Sequence, residues 1–458
     1  MNPTRLSRLV LAFFLGTLVC SGVAFSATPA RPNILFLFSD DQRADTLHAL
    51  GNRHIQTPHL DRLAREGTAF TQAHILGALQ GAVCVPSRAM MLSGRSLFRV
   101  REDLRDTPTW PAQLGRAGWK TFITGKWHNG ANSLAASFSE GRDVFLGGMT
   151  DQNQVKVRDL QPDGTLTPER KASGPSSETF ADSAIRFLRE PRRDNQPFCL
   201  YVAFTSPHDP RTPPESFATR YSSKPPPLPA SFLPQHPFDN GELGVRDEKL
   251  LPWPRTAEAV RRELASYYGM ITHLDAQIGR ILDALREAHL DTNTLIVFAG
   301  DNGLAIGSHG LLGKQNLYEH STRVPLLIAG PGLPRNRRVD QLVTLHQLAA
   351  TLCEFTRVPT PEGSEGRSLL PILRGESPTD PTPCVLLTAY RDLQRAVTDG
   401  RWKLIEYPKA KRFQLFNLHR DPNELRDLID ESRFADERSR MLSLLRNQQR
   451  VSADPLAP

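Results

Sequence analysis

Nearly continuous apolar runs recur along the chain at Ile34–Phe38, Thr121–Thr124, Phe198–Phe204, Leu295–Ala299 and Val324–Ala329, each broken off at once by polar or glycine-rich residues. Apolarity at every position, rather than at alternate ones, predicts strands buried on both faces, as in a largely parallel sheet covered by helices. Between these runs, three-to-four spacing of apolar positions predicts helices over Thr57–Glu66, Thr109–Ala117, Ser177–Glu190 and Ala257–His289. In the last, Val260, Leu264, Tyr267, Ile271, Leu274, Ile278, Ile281 and Leu285 make one core-facing stripe, and His273 and Asp275 read as solvated or paired helix residues. Strand and helix in alternation point to an α/β fold.

Two segments depart from that pattern. Pro207–Pro237 holds ten prolines in 31 residues, and no helical or strand period emerges before Arg255. So long an irregular stretch inside a domain reads as a functional loop, here one lining a site that begins beside His208. After Gly375 the texture becomes that of short strands, Cys384–Tyr390, Gln394–Thr398, Trp402–Tyr407 and Phe413–Leu418, with turns such as Asp399-Gly400, and Ser432–Arg446 follows as a closing helix. The chain therefore divides into a leader over 1–26, a main α/β domain over 27–375 and a small antiparallel α+β subdomain over 376–458.

The leader is an address. Arg5 and Arg8 precede an apolar run from Leu9 to about Val23, with small residues Ala24 and Ser26 after it, the layout of a secretory signal peptide. No second apolar stretch is long enough for a membrane span, so an exported protein without a stable membrane anchor is expected, periplasmic or extracellular. Losing the leader takes the net charge from +7 to +5. That modest excess favours anionic ligands, and without a long Lys/Arg block it argues against nucleic acid. A composition of 39% hydrophobic and 23% charged residues excludes disorder, collagen, coiled coil and a small disulfide scaffold. Of the cysteines beyond the leader, Cys199 sits inside an apolar run as a core thiol, Cys353 and Cys384 could form one bridge, and Cys84 needs its own explanation.

Chemistry collects where strands end, which is where open α/β sheets bind ligands. Ile34–Phe38 runs into Asp40-Asp41, Thr121–Thr124 into Lys126 and His128, Phe198–Phe204 into His208, and Leu295–Ala299 into Asp301-Asn302. Asp40, Asp41, Asp301 and Asn302 are hard oxygen donors suited to Ca²⁺, with Mg²⁺ second, and no His pair at metal spacing speaks for zinc. Cys84-Val85-Pro86-Ser87-Arg88 opens a predicted helix, whose positive end suits an anion. Alone, that Cys-x-Pro-x-Arg pattern arises by chance in roughly a few chains per hundred of this length.

The string from Cys84 through Leu92-Ser93-Gly94-Arg95 resembles the signature of formylglycine-dependent sulfatases, in which the cysteine is oxidised to formylglycine. Gly118–His128 resembles that family's second signature. Ser206-Pro207-His208, Gly300–Gly303, Ser308–Lys314 and Leu415–Glu424 extend the likeness from about Pro32 to Leu428. It departs at Val85, at Trp119 and at His346-Gln347.

The resemblance implies an alkaline-phosphatase-like fold, a large mixed sheet flanked by helices with a small C-terminal antiparallel sheet plus helix. It implies a sulfuric ester hydrolase whose nucleophile derives from Cys84 through a formylglycine-generating maturation enzyme. Asp40, Asp41, Asp301 and Asn302 would hold calcium together with the modified Cys84. Arg88, Lys126 and Lys314 would clamp the sulfate, His208 would protonate the leaving alcohol and His128 would take a proton from the nucleophile's side. The expected substrate is a sulfated small molecule or, preferably, a glycan, with His309 and Arg211 as candidate contacts. Arg255 and Arg391 read as surface charges. Three other readings compete: a formylglycine-dependent phosphonate or phosphate-ester hydrolase, a conventional cysteine hydrolase, and a catalytically silent polyanion binder.

Overall fold

Five parallel strands form the centre of a ten-stranded sheet, in the spatial order Thr294–Gly300, Asn33–Ser39, Phe198–Ala203, Lys120–Lys126 and Glu140–Phe145. The computed structural model describes residues 31–191, 196–376 and 384–458. The expected leader over 1–26 lies outside these residues. On one flank the antiparallel strand Leu326–Ala329 pairs with Thr294–Gly300, and further short strands complete a mixed sheet. Every residue of the Asn33–Ser39, Phe198–Ala203 and Thr294–Gly300 strands is buried. Their period-two alternation sends neighbours to opposite faces, and both faces are covered. Phe36, Tyr201 and Val297 pack with Met91, Trp110 and Leu348 on one side. Leu37, Val202 and Phe298 pack with Phe180, Ile278 and Ile281 on the other. That two-sided burial is why these segments read as continuous apolar runs.

The expected helices form, at Pro58–Glu66, Trp110–Arg116, Ser176–Arg189 and Ala257–Glu287. His273 and Asp275 are both buried within the long helix. His273 pairs with Glu178 at 3.1 Å. The Asp275 carboxylate accepts the backbone N–H groups of His59 and Leu60 at 3.1 and 2.7 Å, satisfying the start of the Pro58–Glu66 helix, which has no side-chain cap of its own. Within the proline-rich segment the structure corrects the expectation of no helix: Glu215–Ser222 is helical after Pro214. It buries one residue fully, Tyr221, edge-on to Tyr268, so it leaves almost no apolar period in the sequence.

A second sheet holds Arg412–Asn417, Trp402–Tyr407, Gln394–Thr398 and Leu386–Tyr390 in antiparallel order, and Gly77–Ala78 joins its edge in parallel. The closing helix is Ala435–Val451, with Met441 and Leu445 packed on Val397, Leu404 and Leu415. The bridge considered between Cys353 and Cys384 is absent. Both thiols are free, Cys353 buried on the Gln347–Thr356 helix and Cys384 exposed ahead of the small sheet. Cys199 is the buried core thiol expected. No helix among the described residues is long and apolar enough to cross a membrane.

Gly125 adopts φ +93°, and a Cβ there would lie 1.9 Å from the Ala203 carbonyl oxygen. Gly125→Ala should therefore cost about 2–3 kcal/mol in a denaturant titration by forcing the Lys120–Lys126 and Phe198–Ala203 strands apart. Asp275 offers a pH test. Burial pushes its carboxyl up to about 7, so the folded chain holds this proton more tightly than the unfolded one. Its contribution to stability is complete below the ordinary carboxyl range and is lost as pH rises towards 7. Asp275→Asn should flatten the fall in melting temperature between about pH 4 and 7; an unchanged slope would assign that dependence elsewhere.

Candidate active site

Four strand ends on one edge of the large sheet deliver their polar residues to a single buried cluster. Ser39 ends in Asp40-Asp41, and Asp41 takes φ 60°, turning its backbone so that its N–H meets Asp301 Oδ1 at 3.0 Å. The Cys84–Ser93 helix starts at Cys84 and is closed by Gly94 at φ 74°. One turn on, Arg88 Nη2 meets Asp301 Oδ2 at 2.9 Å and lies 3.9 Å from Asp40 Oδ2, while Nη1 donates to the Lys126 carbonyl. Lys126 Nζ lies 2.6 Å from Asp40 Oδ2, and Lys314 Nζ 2.6 Å from Asp41 Oδ1. Asn302 Nδ2 donates to Asp41 Oδ1 at 2.8 Å. Asp40, Arg88, Lys126, Asp301 and Asn302 have no measurable exposure.

Above this cluster Cys84 Sγ lies 3.3 Å from His128 Nδ1 and 3.5 Å from Lys126 Nζ. His208 Nε2 lies 3.6 Å from Asp41 Oδ2. Cys84, His128, His208 and Lys314 line a cavity of about 300 Å³, together with Met149, Val245, Arg246, Asp247 and Gln315. The proline-rich segment thus reaches the site through Val245–Asp247.

The electrostatics follow from burial and pairing. Burial opposes the charge on Asp41, but His208 and Lys314 outweigh it and hold the carboxyl below the usual range. Burial and the neighbouring Asp40 push Asp301 up to about 6. Burial also works against Lys314 and Arg88, yet Asp41 holds the first and Asp301 the second above their ordinary values. His128 is pushed down to about 2 by burial and then by Lys126 and Arg88. Burial lowers His208 too, against the pull of Asp41. Desolvation pushes the Cys84 thiol up in spite of Lys126 and Lys314.

The oxygen donors fit a hard divalent ion. Asp40 Oδ1 and Asn302 Oδ1 are buried and have no protein hydrogen-bond partner. Asp40, Asp41 and His208 form one group of ligand atoms within 4.8 Å of one another, and Asp40, Cys84 and Asp301 another. Buried polar atoms left without partners in a carboxylate cluster are what a cation site requires.

Two nominated contacts lie elsewhere. His309 stacks on Tyr318 at 4.0 Å and meets the Glu424 carbonyl at 3.0 Å, lining a separate small cleft with Arg43 and Glu319. Arg211 turns back to Glu263 on the long helix at 2.6 Å. Arg255, expected on the surface, is buried against Glu248 at 2.5 Å, while Arg391 is a partly exposed partner of Glu242. Sequence reasoning passed over Arg246, Asp247 and Gln315. The available signal was the charged triplet Arg246-Asp247-Glu248 inside a proline-rich loop.

Comparison with known proteins agrees with this geometry. The family profile described as Sulfatase matches residues 32–358, and one described as N-sulphoglucosamine sulphohydrolase, C-terminal, matches 307–451. The chain is 30% identical to a choline-sulfatase of Rhizobium meliloti, covering 89% of this chain and 84% of that protein. It is 25% identical to an N-acetylglucosamine-6-O-sulfatase of Bacteroides thetaiotaomicron, covering 99% and 92%. Among solved structures, a protein in complex with its substrate D-glucosamine-2-N,6-O-disulfate superposes with a TM-score of 0.76 at 23% identity, over 93% and 99% of the chains. A phosphonate monoester hydrolase of Agrobacterium radiobacter superposes with 0.71 at 22% identity, over 91% and 96%.

Asp40 has Lys126 at 2.6 Å, whereas Asp301 relies on Arg88 at 2.9 Å, so replacing Arg88 leaves a buried Asp301 carboxyl without its cation. Arg88→Met should lower unfolding free energy by about 3–5 kcal/mol, read in a urea titration. A loss below about 1 kcal/mol would mean that water or another cation already carries that charge.

Proposed function

This chain belongs to the sulfatase family and hydrolyses sulfate esters, and from that premise we propose that it is an exported, formylglycine- and calcium-dependent enzyme acting on a sulfated glycan. The single observation that carries the reading is the position of Cys84, its Sγ within 3.3–3.5 Å of both His128 and Lys126 above a fully buried carboxylate cluster. Sγ stands where the oxygen of the matured side chain belongs.

Oxidation of Cys84 by a maturation enzyme supplies an aldehyde that, when hydrated, offers an oxygen nucleophile. Asp40, Asp41, Asp301 and Asn302 would hold the calcium ion, which supplies positive charge against the nucleophile and the sulfate oxygens. Magnesium fits the donor types but is second choice, because such a crowded carboxylate and carboxamide set suits a larger, more flexible shell.

The chain's own residues do the rest. Lys314 lines the cavity as a cation already fixed by a carboxylate, so it meets the sulfate without reorganising, and the fully buried Lys126 and Arg88 hold fixed positive charge beneath it. From its place beside the Cys84 side chain, His128 Nδ1 exchanges a proton with the nucleophile. His208 presents Nε2 to the cavity and protonates the departing alcohol oxygen as the sulfur–oxygen bond breaks. A cavity of about 300 Å³ suits one sugar residue bearing the ester. The glycan assignment is further supported by relatives named for sulfated glucosamines. Export is supported by the Arg5 and Arg8 leader and its apolar run. A silent polyanion binder would leave these converging groups without a use.

The test is the intact mass of the tryptic peptide Glu66–Arg88 from protein co-produced with a maturation enzyme, followed by turnover assays. The peptide should lose the thiol-to-aldehyde mass difference, chelator should abolish hydrolysis and calcium restore it. The matured enzyme should prefer N-acetylglucosamine 6-sulfate and related sugar sulfates over choline sulfate, 4-nitrophenyl sulfate and a phosphonate monoester. An unmodified thiol despite competent maturation would sink the formylglycine mechanism, and turnover confined to aryl or choline esters would sink the glycan assignment.

A further inference from the structure

Three consecutive residues of the proline-rich segment, Arg246, Asp247 and Glu248, each grip a different part of the site at a single 3₁₀ turn. Arg246 clamps the Asp209 carboxylate from both guanidinium arms, Nη1 to Oδ2 at 2.8 Å and Nη2 to Oδ1 at 2.7 Å. Asp209 in turn faces His208. The ring nitrogen Nδ1 lies 2.8 Å from the Asp209 carbonyl and 3.4 Å from its Oδ1, so this nitrogen carries a hydrogen, and Nε2, the nitrogen left for the cavity, bears a proton when the ring is the imidazolium. Asp247 Oδ2 accepts from Gln315 Nε2 at 2.9 Å, and Gln315 Oε1 accepts the Lys314 backbone N–H at 3.0 Å. Glu248 Oε1 accepts the N–H groups of Leu312 and Gly313 at 3.0 and 2.8 Å, and its other oxygen is paired with buried Arg255.

Gly313 records how close this approach is. A Cβ there would lie 2.4 Å from Gln315 Oε1, 2.8 Å from Asp247 Cβ and 3.2 Å from Glu248 Oε1. The glycine immediately before Lys314 is therefore occupied on its open side by the triplet and by the side chain that the triplet holds.

We propose that Arg246-Asp247-Glu248 is a brace of positioning residues, setting His208 through Asp209 and setting Lys314 through Gln315 and the Leu312 and Gly313 amides. The proposal rests on the reading of His208 as the acid and Lys314 as a sulfate clamp, and it adds that the proline-rich loop governs both. The two arms have different kinetic signatures. Transfer of a proton from Nε2 of the His208 imidazolium to the departing oxygen, leaving the neutral ring with its hydrogen on Nδ1, matters when that oxygen leaves as an alkoxide, as from a sugar. It matters little when the leaving group is 4-nitrophenolate, a stable anion. Sulfate affinity, by contrast, is common to both esters.

The experiment compares matured wild type, His208→Ala, Arg246→Gln, Asp209→Asn, the Arg246→Gln/Asp209→Asn double variant and Glu248→Gln on N-acetylglucosamine 6-sulfate and 4-nitrophenyl sulfate, with inorganic sulfate as inhibitor. Arg246→Gln should lower kcat on the sugar ester about 10- to 100-fold and on the aryl ester less than about threefold. Asp209→Asn should do the same, and the double variant should lose no more than either alone. Glu248→Gln should raise KM for both esters and weaken sulfate inhibition in step. Should that variant not fold, Asp247→Asn probes the same arm through Gln315. Equal losses on both esters for Arg246→Gln, or additive losses in the double variant, would overturn the His208 arm. A Glu248→Gln or Asp247→Asn enzyme with unaltered sulfate inhibition would overturn the Lys314 arm. His208→Ala separates the levels: a selective loss on the sugar ester leaves the underlying reading intact whatever Arg246→Gln does, and an equal loss on both esters removes the acid assignment and the brace with it.

Discussion

Charge balance at the strand ends governs this structure. Asp40, Asp41 and Asp301 are brought together out of contact with water, where an uncompensated carboxylate costs several kcal/mol. Arg88, Lys126 and Lys314 supply the compensation from three different elements: a helix, a strand end and a loop. The requirement reaches well beyond the cluster. The Cys84–Ser93 helix must start where Arg88 can reach Asp301, and the Lys120–Lys126 strand must come close enough to Phe198–Ala203 that only glycine fits at position 125.

In the proposed mechanism the groups that neutralise the carboxylates also serve the sulfate ester. Cations that are already held in place can stabilise an oxyanion without first being ordered, and that is the largest single device available to such a site. The surrounding chain serves the same end. The proline-rich segment is tied to Asp209 and to the loop ahead of Lys314. The small sheet supports the chain on the far side of Lys314. Its Lys403 lies 2.9 Å from both Glu319 and Glu424, and Glu424 accepts the Glu319 N–H, a second buried network that also captures His309.

Much of this architecture is legible in the amino-acid sequence. The central strands can be read because burial on both faces leaves no polar position to interrupt the apolar run, and the small sheet because its strands and turns carry their own local signals. The short Glu215–Ser222 helix escapes because one buried tyrosine makes no period. Arg211 reads as a candidate substrate contact and Arg255 as a surface charge because nothing in their neighbourhood along the chain names their partners, Glu263 and Glu248. Proximity to Lys314 in sequence places His309 near the site, but stacking on Tyr318 turns its ring into a different cleft.

The sequence by itself determined the local periods, the residue types at each strand end and the signature around Cys84, since each depends on neighbours a few positions apart. Only the tertiary structure decided which charges meet. Arg88 and Asp301 are 213 residues apart, and Lys314 and Asp41 are 273 apart. Their pairing depends on the order of strands in the sheet, and a side chain's partner across a sheet is not encoded in its own stretch of chain. The same holds for the roles of Arg246, Asp247 and Glu248, ordinary surface types in sequence that become structural when the loop folds back over the site.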